Sequence, residues 1–198
     1  MDKELEEKIK CAVWVGKSLF ERGKTAGSTA NMSFRHKDKI YITGSGTCFG
    51  LLEEGLFSVL SLDGDHLEGI RPSKEYPLHL ALYHKTEDIQ AVLHTHSFYS
   101  VLWSCLPQED ERDCIPSYTP YLKMKLGTVG MIPYYKPGSK ELFDAFQTRI
   151  HDSDGYLLAN HGPVVGDRDI LSAFYSLEEL EESARIAWEL RHERAAVI

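Results

Sequence analysis

Leu5, Ile9, Ala12, Val13, Gly16, Leu19 and Phe20 recur at helical spacing. The spacing predicts an amphipathic first helix, which Gly23 stops. A polar loop, Thr25-Ala26-Gly27-Ser28-Thr29-Ala30-Asn31, leads into two short β-type runs, Met32–Arg35 and Lys39–Thr43. A second polar loop, Gly44-Ser45-Gly46-Thr47, follows. Pro72 and Ser73 mark a helix start, with Glu75 in the first turn and the helix continuing to Lys85. Ala91-Val92-Leu93 is a buried-strand run that ends in His94-Thr95-His96. The acidic stretch Pro107–Pro116 reads as a surface loop, and Pro137-Gly138-Ser139 opens a helix to about Ile150. Gly155–Asn160 reads as a strand running into His161-Gly162-Pro163, and the last helix spans roughly Asp169 to His192. Its run Glu178, Glu179, Glu181, Glu182 is expected to be a solvated face. Helices and strands alternate without a repeat or linker, which predicts one layered α/β domain over residues 1–198.

Composition narrows the partners. A formal net charge of −8 removes the basic face that a nucleic acid would need, so any anionic ligand must be held by local donors. The N-terminus is charged and helical in pattern, unlike a signal peptide, and no apolar run approaches the roughly 18 residues that span a bilayer. No membrane partner and a cytoplasmic location are therefore expected. Cys11, Cys48, Cys105 and Cys114 form no C-x-x-C pair and read as reduced, mostly buried thiols.

Candidate chemistry starts at His94-Thr95-His96. Residues two apart on a strand face the same way, so an anchored strand would present both imidazoles together. Imidazole suits zinc and similar divalent ions, and catalytic zinc sites keep three protein ligands and one open position. Two surface histidines would produce the same tripeptide. His161 lies just past another apolar run, beside glycine, where it could join the site or simply serve a turn. On the expected helix, Glu75 shares a face with His79, four residues on. That pair could bind metal or form a surface salt bridge; the preferred reading puts Glu75 in the site and His79 behind it as support or packing. His36, His66, His84, His151 and His192 have no comparable partners. An anion would find backbone N–H groups and small donors at Gly27–Asn31, at Gly44–Thr47 and at Pro72-Ser73-Lys74. In the third, Ser73 and Lys74 would sit at a helix N-terminus.

These residues resemble the class II aldolase/adducin family over nearly the whole chain. The most specific segments are Arg71-Pro72-Ser73-Lys74-Glu75, Val92-Leu93-His94-Thr95-His96-Ser97 and Ala159-Asn160-His161-Gly162-Pro163. Within the family the resemblance is strongest to 3-oxo-tetronate 4-phosphate decarboxylases. It is carried by Gly27-Ser28-Thr29-Ala30-Asn31, by lysine directly before the glutamate, by Val129–Gly138 and by Leu158–Val165. Two departures are Ala30, where many relatives have glycine, and Ser73, where these decarboxylases have threonine.

The resemblance implies a three-layer α/β/α fold with a central mixed, largely antiparallel sheet. It implies that His94, His96 and His161 hold a divalent cation, zinc or another such as manganese or cobalt. Glu75 matches the acid/base that can also touch the metal; Asn31, Ser45, Gly46 and Ser73 match phosphate-binding positions. Lys74 replaces a second serine of the aldolases and could meet phosphate or a substrate carboxylate. Tyr121 lies where aldolases carry a catalytic tyrosine that reaches a neighbouring subunit's site, which implies a homotetramer with sites between subunits. The expected reaction is a lyase decarboxylation of a phosphorylated sugar acid through a metal-stabilised enediolate. An aldolase is the nearest alternative, ahead of a 4-epimerase or a non-catalytic adducin-like binding domain.

Overall fold

The computed structural model describes residues 2–150 and 153–198. Its centre is an eight-stranded sheet in the order β4-β3-β2-β1-β5-β8-β7-β6. The strands are β1 (Asn31–His36), β2 (Lys39–Thr43), β3 (Phe57–Ser61), β4 (His66–Gly69), β5 (Ala91–His94), β6 (Val129–Ile132), β7 (Gly155–Leu158) and β8 (Gly162–Asp167). Every neighbouring pair is antiparallel except β6 and β7. The mixed, largely antiparallel sheet expected from the family resemblance is present.

Strand alternation creates two cores. On β5, Ala91 and Leu93 point into one apolar cluster while Val92 points into the other; on β7, Leu157 opposes Tyr156 and Leu158 in the same way. Helices α1 (Lys3–Glu21), α3 (Phe98–Ser104), α4 (Tyr121–Leu126) and α6 (Ile170–Leu190) cover the first face. Helices α2 (Tyr76–Lys85) and α5 (Lys140–Arg149) cover the second. That is a three-layer α/β/α arrangement.

Local chemistry sets the helix ends. The Asp2 carboxylate accepts from the Leu5 N–H at the start of α1, whose buried face is Ile9, Ala12, Val15, Gly16 and Leu19. Ser139 caps α5 through Leu142, and Asp169 caps α6 through Ser172, close to the expected starts.

Several expectations need correction. The helix after Pro72 begins at Tyr76, not Ser73, because Pro72 is held in an extended bridge to Gly44; Pro77 occupies the first turn instead. The segment after β7 turns back and forms β8. Glu181 is not solvated: its buried carboxylate accepts from the Tyr99 and Ser100 N–H groups and from the Ser100 hydroxyl, fastening α6 to the start of α3. All four cysteines are free, but Cys114 alone is fully buried, and Cys105 is exposed. His36 is buried against Asp2 at 3.0 Å. His151 lies outside the described residues. Among the described residues, no helix is long and apolar enough to cross a membrane.

Candidate metal and anion site

Three strands in register assemble the site. β1 pairs with β5 so that Asn31 lies opposite His94, and β5 pairs with β8 so that His94 lies opposite Val164. His161 rides on the tight turn between β7 and β8, where Asn160 takes φ +55° and the His161 N–H donates to the Leu158 carbonyl at 3.0 Å. This turn can lie on the end of β5 because residue 162 is glycine: its φ is +152°, and a Cβ there would sit 2.4 Å from the Thr95 carbonyl oxygen. His94, His96 and His161 therefore converge, with ring centroids 4.8–5.1 Å apart and ligating atoms all within 4.8 Å of one another.

Glu75 enters from the start of α2. It is the N-cap of α2 rather than a first-turn residue, with non-helical backbone (φ −97°, ψ 10°). Its two carboxylate oxygens stand 3.4 Å from His94 Nε2 and 3.4 Å from His161 Nε2. These contacts are not salt bridges, because the rings are neutral. Burial pushes His94 and His161 down to about 3, with the neighbouring imidazoles adding to the shift, and burial also lowers His96.

The donor set fits a divalent cation. Among the described residues, Nε2 of His94, His96 and His161 and Oε1 of Glu75 are buried without a hydrogen-bond partner, an arrangement that is costly unless something else satisfies them. The His94 Nδ1–H donates to the Pro163 carbonyl at 2.8 Å, leaving its Nε2 lone pair bare toward the centre.

Beside this centre lies a cleft of about 170 Å³. The expected anion residues Asn31, Ser45, Gly46, Ser73 and Lys74 all line it, together with Glu75, His96 and His161. Ser28, Thr29, Ala30, Gly44 and Pro137 complete the wall. His94 and His161 lie deep and His96 is half-buried, whereas Ser45, Gly46 and Lys74 are exposed at the mouth. Ser73 and Lys74 precede α2 rather than opening it. The Lys74 stem packs over Gly138, where a Cβ would come within 2.9 Å of Cδ, and its positive charge reaches His96 and His161.

Tyr121 is not brought to the cleft of its own chain; it begins α4 and is 58% exposed. His79 is neither a direct partner of Glu75 nor a surface residue. It is buried, and Asn31 lies between the two: the Asn31 amide donates to Glu75 Oε2 at 3.2 Å, and Asn31 Oδ1 meets His79 Nε2 at 2.6 Å. Ser33 and Tyr83 extend this chain on the far side of His79 and were missed in the sequence. Ser33 follows Asn31 by two on a strand and Tyr83 follows His79 by four on a helix, so the two periodicities could have found them.

The family described as Class II Aldolase and Adducin N-terminal domain matches residues 12–188. The chain belongs to the class II aldolase and adducin family. A 3-oxo-tetronate 4-phosphate decarboxylase of Haemophilus influenzae is 39% identical over 92% of this chain and 87% of its own. An L-fuculose phosphate aldolase of Methanocaldococcus jannaschii is 37% identical over 86% and 90%. The crystal structure of YgbL from Klebsiella pneumoniae superposes with a TM-score of 0.93 at 36% identity, covering 97% of this chain and 93% of that one.

Proposed function

We propose that this class II aldolase-family chain is a divalent-metal-dependent lyase that converts a 3-oxo-tetronate 4-phosphate to dihydroxyacetone phosphate and CO2. The observation that carries the reading is the convergence of three imidazoles and one carboxylate beside a cleft rimmed by anion donors. The decarboxylase relative supports the substrate class. Residues 1–198 act as one cytoplasmic catalytic domain, zinc is the preferred ion, and the working form is a homotetramer in which Tyr121 of one subunit serves its neighbour's site.

His94, His96 and His161 would hold the cation with Glu75 beside them, and the cation supplies Lewis acidity at the substrate's oxygen atoms. Asn31, Ser45, Gly46 and Ser73 seat the phosphate, which fixes where carbons 2 and 3 fall relative to Glu75. Cleavage of the C1–C2 bond releases CO2 and leaves its electron pair conjugated with the C3 ketone. Glu75 then relays a proton from solvent to C2, and the product is dihydroxyacetone phosphate. Lys74 meets the substrate's carboxylate from the cleft mouth, a group that an aldol substrate lacks.

Two expected results follow from these roles. Glu75→Gln retains the metal, as elemental analysis would show, yet turns over roughly 10²-fold more slowly or worse, typical of a lost general acid; full activity would remove that role. Lys74→Ser raises KM about 10–100-fold, the worth of one charge-assisted hydrogen bond, while leaving metal content unchanged. An unchanged KM takes Lys74 out of substrate binding.

Incubating the metal-loaded protein with 3-oxo-tetronate 4-phosphates and measuring dihydroxyacetone phosphate together with CO2 tests the whole reading. The aldolase relative supports a second one, cleavage of a deoxy-sugar 1-phosphate. Release of an aldehyde from fuculose 1-phosphate, without CO2 from the oxo acids, would replace the first reading by the second.

A further inference from the structure

Behind Glu75 runs a buried line of side chains, Asn31, His79, Ser33 and Tyr83, each at most 4% exposed. Its links are Asn31 Nδ2 to Glu75 Oε2 at 3.2 Å, His79 Nε2 to Asn31 Oδ1 at 2.6 Å, Ser33 Oγ to His79 Nδ1 at 2.7 Å, and Tyr83 OH to Ser33 Oγ at 2.7 Å. Proton counting gives the line one direction. An ionised carboxylate can only accept, so Asn31 turns its amide N–H₂ to Glu75 and its carbonyl oxygen to His79. A carbonyl oxygen can only accept, so His79 carries its proton on Nε2. Burial lowers His79 to about 3 and keeps it neutral, so Nδ1 bears a lone pair. The Ser33 hydroxyl must then donate to Nδ1, and the Tyr83 hydroxyl must donate to Ser33.

We propose that His79 is a positioning residue: as the Nε2–H tautomer it locks the Asn31 amide so that both Asn31 N–H bonds face the active site, one on Glu75 and one on the cleft. The inference rests on Glu75 being the working carboxylate. A histidine that merely filled core volume could be satisfied by backbone carbonyls, as His94 Nδ1 is by Pro163. Both His79 nitrogens are instead committed to side chains, one of which lines the cleft. Without a donor at residue 79, the Asn31 carbonyl loses its buried partner. The amide is then free to rotate and present oxygen to the Glu75 carboxylate, which repels it.

The tautomer is read first, independently of activity, by long-range ¹H–¹⁵N correlation on metal-free protein labelled with ¹⁵N-histidine, with His79→Gln assigning the ring. A proton on Nε2 is expected, and a proton on Nδ1 overturns the proposal whether or not the protein proves to be a decarboxylase. The activity test compares His79→Leu with His79→Gln, whose amide can donate to Asn31 and accept from Ser33. The leucine variant, at unchanged metal content, is expected to lose about 10–100-fold in kcat, the worth of the misdirected charge-assisted hydrogen bond, and glutamine is expected to recover most of it. If leucine does not fold, glutamine alone decides: kcat within about threefold of wild type supports the donor role, and a larger loss overturns it. A folded, metal-loaded leucine variant within twofold of wild type also overturns it.

Discussion

His94→Ala abolishes stoichiometric binding of the divalent cation and, with it, turnover, while the chain remains folded. The loss exceeds the 10–100-fold typical when only a ligand's supporting partner is removed, because one of the three imidazoles is gone outright. Two features protect the fold. The Pro163 carbonyl that accepts from His94 Nδ1 also accepts from the Thr95 N–H at 3.3 Å, so it keeps a partner. The strand that carries the residue, β5, is pinned on both sides, by β1 through Asn31 and by β8 through Val164. The expected destabilisation is that of a large-to-small change in a packed interior, about 2–5 kcal/mol. Elemental analysis, circular dichroism and a turnover assay separate these effects. Full metal occupancy in a folded His94→Ala protein would show that the three rings do not form the ion's binding site.

How far the site was readable from sequence depended on whether its geometry was local. His94 and His96 could be paired at once, because a two-residue spacing after an apolar strand is a statement about one element. His161 was visible as a strand-end histidine, but its approach to His94 depends on the β5–β8 register and on the missing Cβ at Gly162. The helix carrying Glu75 was misplaced by three residues because both Pro72 and Pro77 could open it. The choice was made by a bridge between Pro72 and Gly44, a contact across 28 residues that propensity does not contain.

The same distinction explains the fold. Long elements with a clear period, α1, α5 and α6, were found close to their true ends. Several short ones were missed: α3 and α4 have seven and six residues, β3 has five, and β4 and β6 have four each. Their runs are too brief to show a period, whereas β5 and β7, also four residues each, stand out as unbroken apolar runs. β8 was hidden for another reason, since Gly162, Pro163 and Gly166 argue against a central strand. Pro163 is tolerated because its carbonyl, rather than an N–H, ties the strand to Thr95 and His94. Glu181 shows the converse error. Four glutamates in five positions suggest a wet face, yet one of them turns inward to meet the N–H groups at the start of α3 that have no partner within the helix.

Metal-free protein unfolds on mild acidification, at a higher pH than the metal-loaded form. His79, His94 and His161 each sit near 3 in the folded chain against an ordinary value of 6.5. Below about pH 6.5 the unfolded chain takes up a proton on each ring and the folded chain does not. The stabilisation from keeping these rings neutral is therefore complete above pH 6.5 and is eroded as pH falls toward 3. Each imidazole contributes a slope of about 1.4 kcal/mol per pH unit, so three give about 4. A domain with roughly 5–15 kcal/mol of stability exhausts it between about pH 5 and 3. A cation bound to the neutral rings adds its binding free energy to the folded state alone, which moves the midpoint downward. Acid titrations followed by near-ultraviolet circular dichroism, with and without chelator, measure both midpoints. Metal-free protein whose stability stays level from pH 7 to pH 3 would mean that these rings are not held neutral in the folded interior, and the bare Nε2 lone pairs of His94 and His161, on which the metal site depends, would go with them.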